Sequence, residues 1–163
     1  MIVFLLYAIA CIKWGDWKRW KEFYPTILYT IIGNLTYGIL FSNRMLWTYD
    51  NLLNHTFGDM FYTFFVFPSA VILFLTFYPS GLVKQGLYIL IWTAVNTAVE
   101  YAGLLLRTFS HYYGWNIFWS AGLYFFAFIL IALHTKHPLL VWPISLGFAL
   151  LTMLIFQQPI FGT

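Results

Sequence analysis

Five long apolar runs dominate this sequence and decide its class. A helix needs about 20 consecutive, mostly apolar residues to cross the hydrocarbon core of a bilayer. The runs that meet or approach this length are Tyr24–Phe41, Phe57–Tyr78, Leu82–Leu106, Asn116–Leu133 and Leu139–Phe156. Only 8% of the residues are charged, which is too few to cover the exterior of a soluble protein. The sequence therefore predicts an all-α, polytopic integral membrane bundle.

A sixth apolar run, Met1–Ile12, is too short to cross a bilayer by itself. A span could continue through Trp14 to Trp17 if the Lys13 side chain extended to the lipid headgroups. We therefore predict six transmembrane helices in a single domain, residues 1–163. Five transmembrane helices plus a short N-terminal helix are the alternative.

Positive charges are divided unevenly among the predicted loops. Loops one, three and five hold six of the eight Lys and Arg residues, whereas loops two and four hold only Arg44 and Arg107. Because cytoplasmic loops are enriched in Lys and Arg, the odd-numbered loops are predicted to face the cytoplasm. The basic residues of loop one are predicted to contact lipid headgroups, with no nucleic acid as a partner: Lys13, Lys18, Arg19 and Lys21.

Glu100 lies within an apolar run and needs a physical explanation. An ionisable group at membrane depth is unfavourable by roughly 2.5 kcal/mol or more, so it requires a partner, a wet cavity or a function. The predicted orientation places Glu100 in the outer half of the membrane, seven residues before Arg107. We expect Arg107 to be the counter-charge, directly or through water. A protonated Glu100 would instead donate a hydrogen bond to Asn34 or Tyr124.

Polar residues form stripes along three of the predicted helices, within an arc of about 80° on the helix of Glu100. The stripes are Gln85, Thr93, Asn96, Glu100, Gly103 and Arg107; Thr26, Thr30, Gly33, Asn34 and Tyr37; and Asn116, Ser120, Tyr124 and His134. Because lipid leaves such groups unsatisfied, the stripes should face the bundle interior. They predict either contacts between helices or a polar cavity. The candidate ligand-binding residues are Glu100, Asn96, Asn34, Arg107, Tyr37, Ser120 and Tyr124.

A metal site is a second interpretation of the polar residues on the outer side. His55 and Asp59 have the i, i+4 spacing that places two ligands on one helix face, and His111 with Glu100 would complete a nitrogen and oxygen set. The same residues are explained if Asp59 caps a helix and His55 lies in a loop. No cofactor is required by the sequence. No catalytic residue is assigned, since Cys11 has no evident base and no nucleophile elbow occurs.

Several short motifs resemble a known family. They are Phe67-Pro68, Tyr78-Pro79 with Glu100, Tyr113-Gly114-Trp115 with Ser120, and His134 four residues before Pro138. Together they resemble a family of small multi-spanning membrane proteins from spore-forming Gram-positive bacteria (Firmicutes), from about Trp14 onward. The resemblance implies a bacterial cytoplasmic membrane or a spore membrane, and it assigns no activity, ligand or catalytic residue.

The leading functional prediction is a non-enzymatic membrane protein that binds or transports a small molecule, ion or lipid in a polar cavity around Glu100. Membrane lipids are the expected partners, and a homo- or hetero-oligomer is compatible with the sequence. A metal-dependent membrane enzyme acting on a lipid is one alternative. A structural or scaffold subunit of a membrane complex is another.

Overall fold

The computed structural model describes residues 2–49 and 55–158, with side chains described for 5–49 and 57–158. Within these ranges the fold is a helical bundle with one short β-ribbon. The helices are α1 (Ile2–Trp14), α2 (Trp20–Leu40), α3 (His55–Phe61), α4 (Phe67–Thr76), α5 (Leu82–Leu105), α6 (Ile117–His134) and α7 (Pro138–Ile155). A 3-10 turn, Trp17–Arg19, joins α1 to α2. Each predicted apolar run therefore forms a helix, within a few residues at each end.

Helices α3 and α4 form one rod, because a π-helical turn, Tyr62–Val66, connects them without a break. Pro68 lies just after this turn and has no N–H to donate to the preceding helical turn. Single π-helical turns of this kind are rare and occur mostly inside α-helices. The π-helical turn therefore lies directly before the residues Phe67 and Pro68 that begin α4.

Within the described ranges, four helices are long and apolar enough to cross a membrane: Phe57–Thr76, Leu82–Leu105, Ile117–His134 and Pro138–Ile155. This finding indicates a membrane protein. Helix α1 is shorter, and α2 has 21 residues but lies outside this set of strongly apolar helices. Four of the six predicted spans are therefore confirmed as candidates by length and composition.

The ribbon is a departure from the all-α prediction. Strand β1 (Trp47–Tyr49) pairs antiparallel with β2 (Phe109–His111), so that Trp47 is opposite His111 and Tyr49 is opposite Phe109. Aromatic and β-branched residues favour extended backbone, but a two-stranded ribbon is marginal by itself. Here β1 packs on α3 and β2 packs on α5. The ribbon therefore joins loops two and four at one end of the bundle.

The main core surrounds α4, which contacts both α1 and α2. Phe74 is completely buried, and its ring lies 5.0 Å from that of Phe128 on α6 and 5.6 Å from that of Trp92 on α5. Helix α6 packs against α5 on one side and α7 on the other. This aromatic core fixes α5 and α6 side by side, which is the arrangement that the Glu100 site requires.

Candidate functional site

Glu100 is buried, with a side chain only 4% exposed, and both of its carboxylate oxygens have partners. Oε1 lies 2.7 Å from Nε2 of His111, and Oε2 accepts a hydrogen bond from the Tyr124 hydroxyl at 2.5 Å. An ionised carboxylate only accepts hydrogen bonds, so Nε2 of His111 donates to it in that state. We call Glu100, His111 and Tyr124 the carboxylate centre.

Three elements bring the carboxylate centre together. Glu100 lies near the end of α5, Tyr124 faces it from the adjacent α6, and His111 ends β2. The chain returns from α5 to β2 through Arg107, which has a left-handed backbone (φ 55°). Gly103 leaves room for this return, because an added Cβ would lie 3.3 Å from Cβ of Phe109. The tight turn thus folds His111 back over Glu100.

Glu100 makes its direct side-chain contacts with His111 and Tyr124 and not with the predicted Arg107. The Arg107 side chain is exposed, and Nε2 of His111 lies beside the Glu100 carboxylate instead. Sequence spacing placed Arg107 on the face of Glu100, but α5 ends at Leu105, so Arg107 lies in the turn beyond the helix. Of the two alternative partners, Tyr124 donates a hydrogen bond to Glu100. The Asn34 amide instead donates to Asp59 and Thr63.

Tyr49 of the ribbon lies within the electrostatic influence of two described carboxylates, Asp59 and Glu100. It is buried in β1, and its ring stacks on that of Tyr62 at 3.9 Å. Burial, followed by the electrostatic effects of Tyr62, Asp59 and Glu100, raises the pKa of Tyr49 well above its usual value. Tyr49 therefore stays a neutral phenol between two acidic groups.

Asn96, a predicted ligand-binding residue, forms a hydrogen bond with helix α1. Its side-chain oxygen accepts a hydrogen bond from the Tyr7 hydroxyl at 2.8 Å, and its amide donates to the Trp92 carbonyl. The polar stripe of α5 therefore faces α1 at Asn96 and the ribbon at Glu100. Thr93 of the same stripe lines an open groove beside α6, and in the described part of the chain its hydroxyl has no hydrogen-bond partner.

Two further predicted ligand-binding residues hold neighbouring segments in place. The Tyr37 hydroxyl accepts hydrogen bonds from the backbone N–H groups of Leu46 and Trp47, at 2.9 and 3.2 Å, and anchors the start of β1. The Ser120 hydroxyl accepts from Nε1 of the buried Trp115 at 2.8 Å. Both residues act here as contacts between segments.

The predicted metal set is only partly brought together. His111 and Glu100 are in contact, but Asp59 accepts a hydrogen bond from Asn34 instead of joining them, and the side chain of His55 lies outside the described residues. Among the described side chains, no group of three or more His, Cys, Asp and Glu residues is placed to hold a metal ion. The prediction of Asp59 as a helix cap is wrong, because Asp59 lies inside α3.

A separate polar cluster occupies the opposite end of the bundle. Thr26 of α2 is completely buried and lies 3.0 Å from Nδ1 of His134. The His134 ring stacks on Tyr29, whose hydroxyl pairs with that of Ser145. These residues join α2, α6 and α7, and His134 lies at the end of α6, ten residues beyond Tyr124 of the carboxylate centre.

The basic residues of loop one are all exposed: Lys13, Lys18, Arg19 and Lys21. Lys13 lies over the Trp14 ring and Lys21 over the Trp20 ring, while Arg19 forms an exposed ion pair with Glu22 at 2.8 Å. Such a mixture of exposed Trp and Lys side chains is typical of residues at the level of lipid headgroups. Their contact with lipid stays a prediction.

Sequence reasoning missed Tyr7 and Tyr49 as parts of the polar interior. Both are aromatic residues in apolar surroundings, and a tyrosine hydroxyl in such a position usually needs a hydrogen-bond partner. Tyr7 lies in the first helix, which the stripe pattern did not include. The signal for Tyr49 was its place in a Trp-Thr-Tyr segment of high β-propensity.

Comparison with known proteins identifies no relative of this chain. No protein-family model, no curated protein and no solved structure matches this chain significantly. The resemblance to membrane proteins of spore-forming bacteria gains no support from these comparisons and stays a prediction.

Proposed function

We propose that this chain is a six-span, non-enzymatic protein of the bacterial cytoplasmic membrane whose carboxylate centre binds and releases a small ion, the proton. Helices α1 and α2 complete the six spans in this proposal. The supporting observation is a buried carboxylate with an imidazole on one oxygen and a phenol on the other. Carboxyl, imidazole and phenol groups can each donate a proton, and a carboxylate and a neutral imidazole can also accept one.

The position of the centre supports this proposal. Glu100 lies five residues before the end of α5, and His111, whose side chain is 12% exposed, lies on the ribbon at this end of the bundle. Intramembrane carboxylates and histidines with such partners recur in proton pathways. A proton could thus pass between solvent and Glu100 through His111 without a large opening.

Infrared difference spectroscopy during a pH titration tests the proposal. A band of a buried protonated carboxyl should appear as the pH falls and be absent in Glu100→Gln. The matched control is Glu22→Gln, which removes an exposed carboxyl and should leave the band unchanged. A spectrum that is identical in wild type and Glu100→Gln at every pH would contradict the proposal.

A structural role is the second candidate, and one observation favours it. Both oxygens of Glu100 are already satisfied within the chain, as in a scaffold whose buried polar groups only hold elements together. In that case Glu100→Gln should retain the fold and change nothing else. Native mass spectrometry distinguishes a wider ligand role, because a bound small molecule or lipid lost on Glu100→Gln would show binding beyond a proton.

A further inference from the structure

A second candidate site lies at the ribbon end of the bundle, apart from the carboxylate centre. A cavity of about 210 Å³ lies between α2, α3 and β1. Its lining includes Tyr37, Met45, Trp47, Thr48, Tyr49 and Asp59. Drug-sized ligands usually occupy about 300–1,000 Å³, so this cavity suits a ligand of only a few heavy atoms.

Asp59 supplies the charge of this cavity and is held in place by a network. Its Oδ1 accepts a hydrogen bond from the Asn34 amide at 3.3 Å. The same amide donates to the buried Thr63 hydroxyl at 2.7 Å, and that hydroxyl donates to the Asp59 carbonyl at 2.6 Å. Thr63 lies in the π-helical turn, a feature that often occurs at functional sites. The carboxylate is thus oriented by contacts with α2 and with its own helix.

The remaining lining is aromatic or otherwise uncharged. Among the described lining residues Asp59 is the only one with a formal charge, and Tyr37, Trp47 and Tyr49 supply aromatic surface. Calcium and magnesium require about six or more oxygen ligands. This lining offers few, because the Tyr37 hydroxyl is already committed to the backbone of β1. A calcium ion would therefore find fewer protein oxygen ligands in this lining than it usually takes.

We propose that this cavity binds a small alkylammonium cation, with the charge against Asp59 and the alkyl groups against the aromatic lining. Such cations need one anionic contact and polarisable surface, which aromatic and thioether side chains provide. The proposal is independent of proton exchange at Glu100. The cation could be a free amine or the headgroup of a lipid, since both present the same group.

Calorimetric titration of the full chain in dodecyl maltoside, a detergent without a cationic group, tests the proposal. Tetramethylammonium chloride is the probe, and tert-butanol is its neutral counterpart of similar shape. We expect saturable binding of the cation and none of the alcohol. Dihexanoylphosphatidylcholine distinguishes the two sources: tighter binding than tetramethylammonium indicates a lipid headgroup, and weaker binding indicates a free amine.

Two variants locate the site. Asp59→Asn removes the charge and should weaken binding by about tenfold or more, whereas the exposed carboxylate variant Glu22→Gln should not. Gly38→Leu fills the cavity from α2, since an added Cβ at Gly38 meets nothing within 4 Å, and should abolish binding. Gly33→Leu is the matched control, at another open position of α2 outside the cavity lining. No binding of tetramethylammonium, equal binding of tert-butanol, or unchanged binding by Gly38→Leu would each overturn the proposal.

Discussion

Glu100 illustrates how a carboxylate can be tolerated at membrane depth. One carboxylate oxygen contacts the His111 imidazole of β2, and the other accepts a hydrogen bond from the Tyr124 hydroxyl of α6. Neither oxygen therefore faces lipid. A pair of this kind adds little net stability, because burying both partners removes them from water. Breaking it by removing one partner is far more unfavourable, since the other is left buried and unpaired.

The first prediction concerns the Glu100 side chain. Glu100→Ala leaves the Tyr124 hydroxyl and the His111 ring without their acceptor and should lower the unfolding free energy by about 3–5 kcal/mol. Glu100→Gln keeps an acceptor oxygen in the same place and should lose less than half of that. Denaturant unfolding in detergent measures both, and equal losses for the two variants would contradict the assigned contacts.

The second prediction concerns Tyr49. Its pKa is raised in the folded protein, mainly by burial, whereas an unfolded tyrosine titrates near pH 10. The folded state therefore keeps a proton that the unfolded state releases, so the contribution of Tyr49 to stability should be constant below about pH 9 and fall above about pH 10. Tyr49→Phe should make this fall shallower, while Tyr112→Phe, at an exposed position, should not. Thermal unfolding at a series of pH values measures how steeply stability falls with pH in each variant. If Tyr49 were not buried, wild type and Tyr49→Phe would show the same slope.

At the scale of elements, the ribbon is tied to the bundle at both strands. Tyr37 holds the start of β1 from α2, and Glu100 holds the end of β2 from α5. The two strands also pair with each other, and Tyr112 extends the pairing by donating to the Leu46 carbonyl at 2.8 Å. Removing the attachment of one strand to its helix should therefore increase the solvent exposure of the other strand as well.

The third prediction follows for His111. His111→Ala removes the attachment of β2 to α5 and should increase hydrogen–deuterium exchange at the ribbon amides of both strands. The matched control is His137→Ala, an exposed histidine at the other end of the bundle. Unchanged exchange in β1 after His111→Ala would show that the strands are held independently.

The helices could be predicted from the sequence, because long apolar runs in a chain with few charges have one favourable conformation in lipid. The ribbon could not, since segments of three residues such as Phe109–His111 gain their stability from packing and not from local propensity. The site shows the same division. Tyr124 was predicted as a partner of Glu100 from helix periodicity, whereas the contact with His111 depends on a turn through Arg107 that periodicity does not describe.

At the scale of the whole molecule, pairing of β1 with β2 places loops two and four at the same end of the bundle. This is the arrangement that six alternating spans require. The charge distribution further predicts that this end faces outward, with the exposed basic residues of loop one on the cytoplasmic side.

The fourth prediction tests this topology with single cysteines in a Cys11→Ser background. In loops two and four, Ser42→Cys and Tyr112→Cys should react with an impermeant maleimide in intact cells. In loops one, three and five, Lys18→Cys, Lys84→Cys and Lys136→Cys should react only after permeabilisation. Opposite sidedness of Ser42→Cys and Tyr112→Cys would contradict the fold. If Ser42→Cys and Tyr112→Cys were both labelled only after permeabilisation, the predicted orientation would be wrong but the fold would stand.

The most direct test of the carboxylate centre is an NMR titration of the Glu100 carboxyl carbon and the His111 ring nitrogens in detergent micelles. Because Nε2 and Oε1 are 2.7 Å apart, we predict that both signals shift together with pH and that Glu100→Gln changes the His111 titration. A His111 titration that is the same in wild type and Glu100→Gln would show that the two groups do not share a proton-binding site.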